Sequence, residues 1–172
     1  MPYKALAVAN FFIEKAKVEG KEDLSPLKLL KLIYIAHGWY LALMEASLIE
    51  EPVEAWRFGP VVSNIYQQFK HFGNSNIEEP GQEMKFEGTQ AKNYVPEINK
   101  NDEDTIALLN RVWEVYKKHT AIQLANWTHL PEGPWYKEWV EDGNTYPGHV
   151  ISNNRIKEYF QGLASHGAKN SN

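Results

Sequence analysis

Cysteine is missing altogether from the 172 residues. Its absence removes disulfides, thiolate metal sites and cysteine nucleophiles together, and suits a reducing compartment. An excess of positive charge is missing too: 18 Lys and Arg face 22 Asp and Glu, for a net charge of -4. Non-specific binding to phosphate backbones draws on clustered basic residues, so nucleic acid is not expected as a partner. Met1 to Asn10 lacks the basic stretch and long apolar run of a secretory signal. The most apolar segment, Leu27 to Met44, is interrupted by Lys28, Lys31 and His37. A core helix fits it better than a membrane span, and the expected location is the cytoplasm.

The signatures of catalysis are equally scarce. The six His are scattered, and none forms the His-Glu-x-x-His pair of a helical zinc site. His129 and Glu132 lie three apart, but Pro131 and Gly133 break the helix such a pair needs. His37 reads as a hydrogen-bonded histidine inside or at the rim of the core. There is no Gly-x-Ser-x-Gly elbow and no glycine-rich phosphate loop. Glu50, Glu51 and Glu54 form the densest group of carboxylates, and a solvated edge accounts for them. No catalytic residue, metal ligand or cofactor is expected, and the chain reads as a non-enzyme.

What the chain does have is apolar and aromatic mass. Hydrophobic residues make up 43% and aromatics 13%, with 6 Trp, 9 Tyr and 7 Phe. That is the composition of a packed core, because disordered chains are poor in aromatics. Ala5, Val8, Ala9, Phe12, Ile13 and Ala16 share one face of a helix over Ala5 to Val18. Ser25 and Pro26 then supply a cap and a first position for a helix that is apolar nearly all round, the kind others pack against.

Val53, Ala55 and Arg57 alternate with Glu54, Trp56 and Phe58, which predicts a short strand, followed by a turn at Gly59-Pro60 and a third helix ended by Gly73. Residues 73–101 carry only weak alternation and predict an exposed excursion. Helical patterns return over Asp102 to His119, Ala121 to Thr128 after a Thr120 cap, and Trp135 to Val140. A last helix is capped by Ser152 and ends near Phe160. The expected fold is mainly α: one domain over 1–162 around a buried central helix at about 25–45. Minor β structure is expected near 49–58 and, on a weaker signal, over 82–98. Residues 163–172 read as a flexible tail.

Three segments carry a further signal. The first is Leu24-Ser25-Pro26-Leu27-Lys28-Leu29-Leu30-Lys31-Leu32-Ile33-Tyr34, continuing through Ala36, Gly38 and Trp39. The second runs from Glu51-Pro52 through Trp56-Arg57-Phe58-Gly59-Pro60-Val61-Val62. The third is Leu124 to Trp135, with Thr128-His129 and Pro134-Trp135. Together, in this order, they resemble the Panacea domain family, also known through SocA-like and phage-associated proteins. Two positions depart from the family's usual pattern: Leu30 stands where Gln is common, and Asn126-Trp127 replaces a small or polar pair.

The resemblance implies a bacterial or prophage-borne antitoxin that binds a protein toxin, commonly the product of an adjacent gene. For at least one relative it implies an adaptor that delivers a toxin to a protease. Binding by such a domain needs a few aromatic or charged anchors on its surface. The candidates are Lys31, Arg57, His129 and Trp135, polar or aromatic residues set inside the motifs. Core packing competes for each of them: Arg57 could pair with Glu51 or Glu54, and Pro134-Trp135 could be a buried turn.

Overall fold

Ser25 starts the helix on which the rest is built. In the computed structural model, which describes residues 1–169, its hydroxyl accepts from the Lys28 amide at 3.4 Å and Pro26 takes the first position. The resulting α2, Pro26–Met44, ends at Glu45, whose φ of 55° is left-handed. Helices α1 (Ala5–Val18), α4 (Glu103–Tyr116), α5 (Ala121–Thr128) and α7 (Asn153–Lys169) pack around it. By length and composition α2 is apolar enough to cross a membrane, yet 67% of it is buried by these neighbours. The fold is mainly α and centred on this helix, as its apolar circumference predicts.

Gly38 sets how closely α7 approaches α2. The Phe160 ring lies where a Gly38 side chain would be, 2.2 Å from an added Cβ. That ring packs edge-on against Tyr34, Trp39 and Trp127, with centroids 5.8, 5.3 and 5.9 Å away. Trp127, one of the two departures from the family pattern, is therefore part of the packing. Leu30, the other, is buried at 4% exposure.

Two antiparallel hairpins supply the β structure. In the first, β1 (Glu54–Trp56) pairs with β2 (Gly59–Val61), with Ala55 opposite Pro60 and Trp56 opposite Gly59. The turn is thus Arg57-Phe58, two residues earlier than expected, and Gly59-Pro60 belongs to a strand instead of leading into α3 (Ser63–Phe69). Ala55 directs its N–H outward to the His149 carbonyl at 2.9 Å. The Ala55–Pro60 pair therefore faces away from the ladder, where a proline's missing N–H costs nothing.

The second hairpin, β3 (Glu83–Glu87) with β4 (Gln90–Tyr94), turns on Gly88 at φ 62° and leaves Met84 and Phe86 exposed. Its flanks are fastened to α1 by the buried Asn10. The Asn10 amide donates to the Gly81 and Pro96 carbonyls at 3.0 and 2.9 Å and accepts from the Gly81 N–H at 2.8 Å.

The later helices start where their caps place them. Asp102 accepts from the Thr105 amide at 3.2 Å to begin α4. Thr120 and Gln123 form a reciprocal capping box for α5. Thr120→Ala is expected to lower stability by about 1 kcal/mol in urea titrations, with the Gln123 amide N–H left without its side-chain acceptor. A short helical turn, α6 (Pro134–Tyr136), widens into a π-turn over Lys137–Glu141. Ser152 accepts from the Arg155 amide at 3.2 Å at the start of α7. That helix passes Phe160 and Gly162 and stays helical to Lys169, because Leu163 adds another contact against the core. Residues 170–172 of the expected tail lie outside the described residues.

Candidate functional site

The three sequence motifs, spread over more than a hundred residues of chain, meet at Gly59. Lys31 reaches it from α2, fully buried, and donates to the Pro60 carbonyl at 3.0 Å. Thr128 ends α5 and turns its hydroxyl back onto the Ala125 carbonyl at 2.7 Å. His129 follows it and stacks on Trp135, with centroids 4.1 Å apart and planes at 25°. Gly59 sits at φ 110°, a conformation that side chains disfavour. A Cβ there would stand 2.7 Å from Lys31 Nζ, 2.9 Å from Thr128 Oγ1 and 3.2 Å from His129 Nε2. Only a glycine lets the strand lie this close to the three polar atoms.

Aromatic packing carries the order outward. Trp135 donates its indole N–H to the Trp56 carbonyl at 2.7 Å and stacks on Trp139, with centroids 5.9 Å apart. Trp56 meets Tyr66 edge-on at 4.9 Å and donates to Glu54 Oε2 at 2.7 Å. Trp56 and Gly59, which flank the Arg57-Phe58 turn, are thereby held from both sides. Phe58 is 67% exposed, and the Arg57 guanidinium lies 5.6 Å over its ring. Among the described residues Arg57 has no ion pair. Glu54 is engaged by Trp56, while Glu51 accepts from the Ala5 amide and from Asn64.

The electrostatics at Gly59 are those of buried basic groups with no counter-ion among the described residues. Burial pushes the Lys31 pKa down from 10.5 to about 7. His129 is held below the usual imidazole value by burial first and then by nearby Lys31, against the pull of the Phe58 backbone. Its Nε2 is buried without a hydrogen-bond partner. Lys28, one turn earlier on α2, is just as buried but has Asp23 at 2.6 Å and the Lys117 carbonyl at 2.8 Å. Among the described residues, no carboxylate hydrogen-bonds or ion-pairs with Lys31, Thr128 or His129.

Of the four candidate anchors, the structure gathers Lys31, His129 and Trp135 beneath the hairpin and leaves Arg57 facing solvent. Lys31 and Trp135 are buried and His129 is half-buried, so these three hold the turn in place. Phe58 and Gly59 lie in the second sequence motif, but its Gly-Pro pair predicts a turn at 59–60 and so conceals the Arg57-Phe58 turn between β1 and β2.

His37 and Glu138 occupy separate polar sites. His37 Nε2 pairs with Asn153 Oδ1 at 3.0 Å, and its Nδ1 is buried without a partner. Buried Glu138 holds His149 at 2.6 Å, Arg155 at 2.9 Å and Asn144 at 3.1 Å, which fastens the segment between the π-turn and α7.

The chain matches the family model described as "Antitoxin SocA-like, Panacea domain" over residues 29–136, a span that contains every residue gathered around Gly59. It is 31% identical over 131 residues to Antitoxin SocA of Caulobacter vibrioides (strain NA1000 / CB15N), covering 76% of this chain and 68% of that protein. No solved structure matches it.

Proposed function

Because the chain belongs to the SocA-like antitoxin, Panacea domain family, we propose that it neutralises a protein toxin by binding it directly, without catalysis, in the cytoplasm. The observation that carries this reading is the Arg57-Phe58 turn. It presents an exposed guanidinium and an exposed ring on a hairpin whose base is fixed by Lys31, Trp56 and Trp135. Arg and aromatic side chains supply much of the energy of protein interfaces, and a fixed presentation lowers the entropy lost on binding. Its complement is a toxin surface with an acidic group beside an apolar recess.

The product of the adjacent gene is the partner to test. Expressed alone it should arrest growth, and co-expression with this chain should restore growth and yield a co-purifying complex. The double variant Arg57→Ala/Phe58→Ser should fold normally and bind at least about tenfold more weakly, as loss of an anchor pair implies. A product that is harmless alone and never co-purifies overturns the direct-binding reading. Unchanged affinity of the double variant removes the turn from the interface.

A further inference from the structure

The far end of α2 and the outer side of α4 enclose a groove of about 490 Å³, well away in sequence from the Gly59 cluster. Its apolar floor comes from Trp39, Leu108, Val112 and Val115, with Leu43 and Met44 along the α2 edge. Leu43 is 58% exposed and Met44 38%. The α4 wall is a stripe at helical spacing: Asp104, Ala107, Leu108, Arg111, Val112 and Val115. The core-facing side of α4 is buried through Thr105, Leu109 and Trp113, and Leu108 and Val112 are buried in the groove floor; Asp104, Ala107 and Arg111 are the part of the stripe that the fold leaves exposed.

The charges on this stripe say what covers it. Asp104 and Arg111 are both exposed, and neither has a hydrogen-bonded or ion-paired partner for its side chain among the described residues. They are of opposite sign and seven positions apart, about two helical turns or roughly 10 Å along the axis. In a two-fold interface, residue i meets j of the other copy while j meets i. An antiparallel pairing of two α4 helices centred between Ala107 and Leu108 sets Asp104 of each copy against Arg111 of the other. The same centre places the small, exposed Ala107 of each copy beside the two-fold axis, which permits close approach. The pattern is thus complementary to itself.

We infer that this groove is a self-association surface, occupied by the α4 helix of a second copy of the chain. Apolar burial supplies the attraction, and the two Asp104–Arg111 pairs fix the register. The surface is separate from the Arg57-Phe58 turn, so the inference stands or falls independently of how a toxin is bound.

Sedimentation and light scattering of the full chain at tens of micromolar test it. The expected species has a mass near twice the 19.8 kDa of one chain. Arg111→Asp and Asp104→Arg should each weaken association at least about tenfold, because like charges then face each other. The doubly reversed chain, Asp104→Arg/Arg111→Asp, should recover association to within about twofold, since its pairs are restored with signs exchanged. Circular dichroism confirms that each variant folds, and both positions are exposed. A monomeric wild-type chain, or single reversals that leave the association constant unchanged, overturns the inference. So does a monomer whose single reversals weaken toxin binding instead, which assigns the groove to the toxin.

Discussion

Gly59→Ala is expected to destabilise the protein by about 3 kcal/mol, the sum of a left-sided backbone penalty and overpacking. Two separate effects act at this one position. The residue sits at φ 110°, and its new methyl would meet Lys31 Nζ, Thr128 Oγ1 and His129 Nε2 within 3.2 Å. None of the three can yield freely: Lys31 is tied to Pro60, Thr128 to Ala125, and His129 lies against Trp135. Gly143→Ala is the control, because Gly143 has φ 67° but open space around it. Urea unfolding of both variants separates the two effects. The control should lose only the backbone share, about 1 kcal/mol. A Gly59→Ala loss no larger than that of the control would show that the three motifs do not converge on this strand. The same variant should present Arg57 and Phe58 poorly, so toxin binding should fall with stability.

What the sequence conveyed and what it hid follow from how local each feature is. The bounds of α1 and α5 and the caps at Ser25, Thr120 and Ser152 were legible because each depends on a few adjacent residues. Central placement of α2 was legible from its apolar circumference. The turn at Arg57-Phe58 was not: Gly-Pro reads as a turn until Ala55 is found bonded to the His149 carbonyl, more than ninety residues later. Pro60 is tolerated in the strand because its position, opposite Ala55, faces away from the ladder. Lys31 was legible as unusual, a cation inside an apolar motif, but its burial depends on the Pro60 carbonyl arriving from another element. The end of α7 was hidden for a related reason. A small, polar composition after Gly162 argues for fraying, while the contact of Leu163 with the core argues against it and is visible only in the fold.

Lys31 offers the sharpest test of the buried cluster, through pH. The unfolded chain holds its proton up to about 10.5, whereas burial brings the folded value to about 7. A group whose folded pKa is depressed contributes fully above the unfolded value and loses that contribution as pH falls toward the folded one. Stability from this residue should therefore rise from pH 7 to pH 9, at close to 1.4 kcal/mol per unit once the folded amine is neutral. Lys31→Met keeps the length of the side chain and removes the proton. The wild-type chain should gain about 2 kcal/mol over Lys31→Met between pH 7 and pH 9 in urea titrations. Taking the difference between the two proteins cancels groups common to both. The nearest titrating neighbour, His129, has its value held below 6.5, so its slope falls on the acid side of the window. A flat difference across the window would mean that the folded Lys31 stays charged, with water or an anion reaching it. Throughout the window the wild-type amine still donates to Pro60, since neutral and charged forms both carry N–H. The rise in stability should therefore leave the Arg57-Phe58 turn in place, and toxin affinity should stay level while stability climbs.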